Sequence, residues 1–393
     1  MPLEPVSISS SKEASILYFD KLDVYRFFSA MMVVIYHAYN SWVEHFGLIS
    51  FMVKSEDPTK LNRKGKYISA VIENGSYGVE IFFVISGFLI TTLLLKEKQA
   101  NGKISILKFY ARRTLRIWPL YYLIIALAPL LIVWKGQTYY PNYYANIFFY
   151  NNFDTAINHY WVFPLAHFWS LCIEEHFYIF WPFIIAFIPN KHLVKTFGFL
   201  ILAGILYRAS AITGNPNPWY PIYLNTFARF DAIVIGAIVA YIHYINPIKL
   251  RISKISRLIV YIIFMIAYSN ITIFDWGNFF EACFKKYFFI SITVFSMVNY
   301  LFNDQPLFEF LNNRVIRYLG KVSFGIYIYG LVVLEIIIYK IILPYHINNW
   351  MVYLLIVVAA SLLIPIISYE CFEKQILKLK KRFEVVRIRR TEV

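Results

Sequence analysis

The feature that most constrains this chain is a recurring apolar run of about 17–22 residues, long enough for a helix to cross the roughly 30 Å hydrocarbon of a bilayer. Ten such runs can be read: 24–42, 77–95, 117–134, 168–188, 193–211, 226–245, 256–274, 287–302, 322–342 and 350–371. Barrel strands would be shorter and would alternate polar with apolar, so these runs are helices that satisfy their own backbone in lipid. The expected fold class is therefore all-α, a polytopic membrane helical bundle of about ten transmembrane helices. Composition supports this: 59% of residues are hydrophobic and only 16% charged, which a soluble domain would not carry. Residues 1–373 are expected to form one integral-membrane domain and 374–393 a basic cytoplasmic tail.

The net charge of +15 reads as cytoplasmic Lys and Arg, not as nucleic-acid binding. Between Lys96 and Arg116 stand Lys96, Lys98, Lys103, Lys108, Arg112, Arg113 and Arg116, a density that marks this segment as cytoplasmic. Alternation then places both termini in the cytoplasm. Lys191 and Lys195, then Lys249, Arg251, Lys254 and Arg257, then Arg314, Arg317 and Lys321 fall on the same side. One outer loop disagrees, since Lys60, Arg63, Lys64 and Lys66 cluster in 43–76. This is either a tolerated exception or a landing patch for an acidic glycan. The tail is expected to lie against anionic membrane lipid. Cys172, Cys283 and Cys371 match no metal-ligand spacing, and no metal is expected.

Polar residues inside such spans are costly and are functional-site hypotheses by default. In DVYRFFSAMMVVIYH, Arg26 and His37 are eleven residues apart, which returns to within roughly 20° of one helical face over a rise of about 16 Å. If Arg26 lies near one surface, His37 lies near mid-membrane. A hydrogen-bonded, inert His at a helix interface is the plain alternative. Ser86 and Gly87 fall at similar depth in the second run, where Gly87 permits close approach of a neighbouring helix or a ligand.

The third run opens with FYARRTLRIWPLYY. Arg113 and Arg116, at i and i+3, share a face, and Arg112 adjoins them. Obedience to the positive-inside rule would explain them. So would phosphate binding by guanidinium forks at a helix start, and acyl-coenzyme A is a cytosolic donor that fits. The fourth run, HFWSLCIEEHFYIFWP, buries the adjacent carboxylates Glu174 and Glu175, with His167 seven residues before Glu174 on nearly the same face. Glu80, Glu174, Glu175, Arg208, Arg229 and Asp231 all lie toward the outer ends of their spans. They form either one polar pocket open to the outside or a set of helix-locking ion pairs.

With these residues in hand, the chain resembles the acyltransferase-3 family of integral-membrane acyltransferases over nearly its whole length. LDVYRFFSAMMVVIYHA is similar to the family's opening helix, GVEIFFVISGFLIT to its second, RRTLRIWPLYY to its Arg-x-x-Arg segment and FWSLCIEEHFYIFWP to its WSL-x-x-E-x-F-Y segment. RFDAIVIGAIVA, KVSFGIYIY and SYECFE resemble later segments. Two positions depart from the pattern: Gly330 stands where the family often has His, and Glu373-Lys374-Gln375 replaces a closing Glu-x-Pro.

The resemblance implies transfer of an acyl group, commonly acetyl, to hydroxyls of surface carbohydrates such as polysaccharide, lipopolysaccharide or a lipid-linked glycan of the cell envelope. The protein would then reside in a bacterial inner membrane. Acetyl-coenzyme A would be the donor, held by Arg112, Arg113 and Arg116 with Ser86 nearby. His37 would be the general base, with Arg26 neutralising Asp23 or steering the donor. Glu174 would orient His37 or bind the acceptor, and Glu80, Glu175, Arg208, Arg229 and Asp231 would line the acceptor site. A covalent acyl-His37 intermediate stays open, as does a homo-oligomer. The alternative from another class is a transporter or flippase for a lipid-linked glycan or organic anion, with the same buried charges lining its pathway.

Overall fold

Ten long helices stand at the ten expected places among the described residues, which are 16–17, 19–57, 59–245, 252–273, 277–303, 307–385 and 388–389 of a computed structural model. They are α1 (Asp20–Phe46), α2 (Gly78–Asn101), α3 (Ile106–Lys135), α4 (Trp169–Phe187), α5 (Asn190–Gly214), α6 (Thr226–Tyr244), α7 (Lys254–Ile273), α8 (Lys285–Leu301), α9 (Arg314–Ile337) and α10 (Trp350–Ser368). Eight stretches, those that carry α2–α7, α9 and α10, are long and apolar enough to cross a membrane. The other two helices are α1, whose apolar run is broken by His37, Asn40 and Ser41, and α8, which has 17 residues. Lys249, Arg251 and the tail beyond 389 lie outside the described residues.

Asparagines cap several of these helices. Asn225 accepts from the Phe227 N–H at 3.0 Å, Asn313 from Ile316 at 3.0 Å, and Asn349 from Met351 at 2.9 Å and Val352 at 3.1 Å. Each satisfies donors that a helix start leaves unpaired. Within 43–76, read from sequence as a loop, Arg63–Glu73 is helical and continues through Asn74–Tyr77 into α2. Asn62 starts it by accepting from the Gly65 N–H at 2.7 Å. Arg63, Lys64 and Lys66 share the exposed side of this short helix with Tyr67, Ile68 and Val71, the mixture expected of an interfacial helix.

Close approach of backbones sets the helix orientations. A Cβ at Gly87 of α2 would collide with the Ile233 carbonyl of α6, and one at Gly236 of α6 would collide with the Val84 carbonyl of α2. The two glycines therefore let α2 and α6 pack main chain to main chain, which small residues permit in lipid. One apolar cluster surrounds this contact, with Phe83, Phe88, Tyr121, Phe168, Phe177 and Trp181 buried in it. A second joins α1, α9 and α10 through Trp42, Ile326, Tyr353 and Val357. Ile16–Leu17, before α1, pairs in parallel with Ile388–Arg389, after α10.

Candidate active site

Five helices place side chains around one inner cavity of about 100 Å³. α1 supplies Arg26, α2 Ser86, α3 Arg113 and Arg116, α4 Ser170, Glu174 and Tyr178, and α9 Tyr327; Phe82, Phe83, Leu89, Ile117 and Phe324 are among its apolar walls. The Tyr178 hydroxyl donates to Glu174 Oε2 at 2.8 Å. With its proton committed there, its oxygen accepts from the Ser86 hydroxyl at 2.6 Å. Arg113 stands 5.7 Å above the Tyr178 ring, and its buried Nε has no hydrogen-bond partner among the described residues. A buried guanidinium with donor capacity in reserve is a chemical fit for an anionic group.

The three adjacent arginines separate as helical geometry requires. Arg113 and Arg116 both reach the cavity. Arg112, about 100° around the helix, turns away: its Nη2 pairs with Glu97 at 3.1 Å and its Nη1 donates to the Phe383 carbonyl at 2.7 Å. Arg112 therefore ties the segment after α10 to the start of α3. The adjacent carboxylates separate likewise. Glu174 lines the cavity, whereas Glu175 accepts from the Trp118 indole at 3.4 Å and is not among the cavity walls. Arg26 keeps Asp23 within 3.5 Å.

His37 is half-buried on α1. It lines a slot of about 10 Å³ with His167, Tyr327 and Gly330, walled by Val33, Val34, Leu331, Leu334 and Val357. Tyr327 lines both this slot and the inner cavity. Its hydroxyl donates to the His167 carbonyl at 2.9 Å and is 2.6 Å from Ser170 Oγ. An open passage from the arginines to His37 would follow from the sequence reading; the structure has the Tyr327 side chain as a wall between them. The carboxylate of Glu174 is bonded to Tyr178 and not to His37.

On the other side, Tyr36, the residue before His37, lines an outer cavity of about 560 Å³. Glu80, Glu281, Arg208, Arg229, Lys285 and Lys286 supply its charges, and Tyr77, Trp219 and Tyr223 its aromatic faces. Glu80 pairs with Arg229, whose Nε donates to the Tyr223 carbonyl at 2.8 Å. Asp231 is fully buried behind the cavity wall, where it binds Arg208 at 2.8 Å, Lys286 at 2.5 Å and the Tyr287 hydroxyl. Of the six residues read from sequence as one outer cluster, only Glu80, Arg208 and Arg229 line this cavity, as paired charges, with Asp231 behind its wall. Glu174 faces the arginine cavity and Glu175 the Trp118 indole, because adjacent helical positions on α4 point about 100° apart, and neither points to the outer cavity.

Tyr178, Ser170, Tyr327 and Lys286 were not singled out from sequence. Tyr178 carried a signal, being four residues after Glu174 and so on its face. Lys285 and Lys286 carried another, as adjacent lysines at the outer end of an apolar run, against the charge rule. Tyr327 and Ser170 carried none, because tyrosine and serine are common in such helices.

Comparison with known proteins places this geometry. A family described as an acyltransferase domain matches residues 19–370. O-acetyltransferase OatA of Staphylococcus aureus strains NCTC 8325 / PS 47, COL and MW2 is 28% identical over 344 residues, covering 79% of this chain and 50% of the relative. The chain thus spans about half the length of these curated relatives. No solved structure matches it. With the match running through all five helices of the inner cavity and the slot of His37, the chain belongs to the acyltransferase-3 family of integral-membrane acyltransferases.

Proposed function

We propose that this protein is a membrane O-acyltransferase that moves an acetyl group from acetyl-coenzyme A to a hydroxyl of a surface polysaccharide or lipid-linked glycan. The donor's phosphates pair with Arg113 and Arg116 at the inner cavity, and Arg26 adds positive charge beside them. The Ser86–Tyr178–Glu174 chain orients the donor arm. The acceptor sugar enters the outer cavity, where Trp219 and Tyr223 offer aromatic faces and the Glu80–Arg229 pair offers hydrogen bonds. His37 takes the proton of the acceptor hydroxyl as the oxygen attacks the thioester carbon. The carbon–sulfur bond breaks, the thiolate leaves and takes a proton, and the products are an O-acetyl ester and coenzyme A thiol. Tyr327 must swing for the thioester to reach His37.

The observation that carries this reading is a run of neighbouring side chains. Tyr36 lines the outer cavity, His37 the slot, and Tyr327 both the slot and the arginine cavity. The names of the relatives support acetyl as the group transferred. The test is release of free thiol from acetyl-coenzyme A by the purified protein in nanodiscs with cell-envelope glycans as acceptor. Wild type should release thiol and acetylate the glycan, and His37→Ala should do neither while unfolding at an unchanged temperature. Normal acetylation by His37→Ala would refute the role of His37. A protein that carries glycan across vesicles without releasing thiol would refute the enzyme.

A further inference from the structure

His167 stands in the turn Ala166–Phe168 that opens α4 and is 4% exposed. Its Nε2 lies 2.9 Å from the Ile328 carbonyl of α9. A carbonyl only accepts, so Nε2 carries the ring proton and Nδ1 of the neutral imidazole holds a lone pair. That Nδ1 is buried and has no hydrogen-bond partner among the described residues. The ring lines the same slot as His37. The Tyr327 hydroxyl is engaged by the His167 carbonyl and Ser170, and the remaining walls are glycine and aliphatic side chains. His37 makes no hydrogen bond with a described residue, so it is the slot's available N–H donor. The slot's volume of about 10 Å³ is roughly the room of one water.

We propose that His167 is the positioning residue of His37. One water in the slot donates to His167 Nδ1 and accepts from the N–H of His37. That bond fixes the tautomer of His37, so its other nitrogen presents a lone pair. Resting on the function proposed above, this lone pair is the one that receives the acceptor's proton. A fixed tautomer is what an orienting group confers on a catalytic imidazole, and here a neutral ring supplies it without a second buried charge.

Two variants of the full chain in nanodiscs test this, with ¹⁵N-labelled histidine. The imidazole signals of His37 are assigned by their loss in His37→Gln. Wild type should show one His37 tautomer. His167→Phe, which removes the acceptor, should show a mixture of both, with kcat about 100-fold lower, as for a lost acid–base contribution, and KM for acetyl-coenzyme A unchanged. His167→Gln keeps a donor for Ile328 and an acceptor for the slot, so it should restore the single tautomer and kcat to within about tenfold of wild type. An unchanged His37 tautomer in folded His167→Phe would overturn the proposal. If His167→Phe does not fold, a tautomer mixture in His167→Gln would overturn it. Because the tautomer is read without turnover, a single His37 tautomer that depends on His167 in a protein that transfers nothing would count against the function and not against this pairing.

Discussion

Asp231→Asn isolates the question of what the outer charges do. Asp231 and Arg208 are 0% and 1% exposed, and the same carboxylate holds Lys286 at 2.5 Å. The substitution keeps the shape and removes the charge, leaving two like-charged buried groups without their anion. Breaking a buried ion pair by removing one partner costs about 3–5 kcal/mol. For a chain of this size that is a fall in the unfolding midpoint on the order of 4–6 °C. The assay uses the protein's own thiols: Cys172 and Cys283 are buried and Cys371 exposed, so a thiol-reactive dye reports unfolding in detergent. Adding Lys286→Met to Asp231→Asn removes one stranded cation and should recover about half of the loss. A midpoint change under about 2 °C for the single variant, or a double variant less stable than the single, would refute the reasoning.

The three arginines of α3 should part company. Arg113→Ala and Arg116→Ala should each raise KM for acetyl-coenzyme A about 10- to 100-fold, the worth of a charge-assisted hydrogen bond, in a thiol-release assay. Arg112→Ala should instead lower the dye-reported midpoint, because it leaves Glu97, which is 2% exposed, with the Ser105 N–H but without its cation, and releases the Phe383 carbonyl. Gly236→Ala should cost about 1–3 kcal/mol by driving a methyl into the Val84 backbone. Gly198→Ala, with open space around it, is the control in the same dye assay and should not be destabilised.

Much of this protein was legible before any coordinates. The lengths of the apolar runs placed all ten long helices, because lipid forces the backbone of each run into its own hydrogen bonds. The order of polar groups along the helices was legible too: Arg113 and Arg116 come early in α3, His37 well inside α1, and Glu80 and Arg229 in the first turns of α2 and α6. The i, i+3 spacing put Arg113 and Arg116 on one face, and both reach one cavity. The helix Arg63–Glu73 was missed, since its apolar residues are interleaved with cations and its start rests on a single Asn62 cap.

Azimuth was not legible. Hydropathy measures how far along a helix a residue sits, and it is nearly blind to which neighbour that residue faces. Whether Arg112 meets a donor or Glu97, whether Asp231 faces a cavity or lies sealed behind Arg208 and Lys286, and whether Tyr327 closes the way to His37 all depend on how helices are rotated against each other. That rotation follows from contacts between segments far apart in the chain, such as Gly87 and Gly236 seating α2 on α6. The local pattern set the list of charged and aromatic side chains and their places along the helices, while long-range packing chose which of them share a cavity.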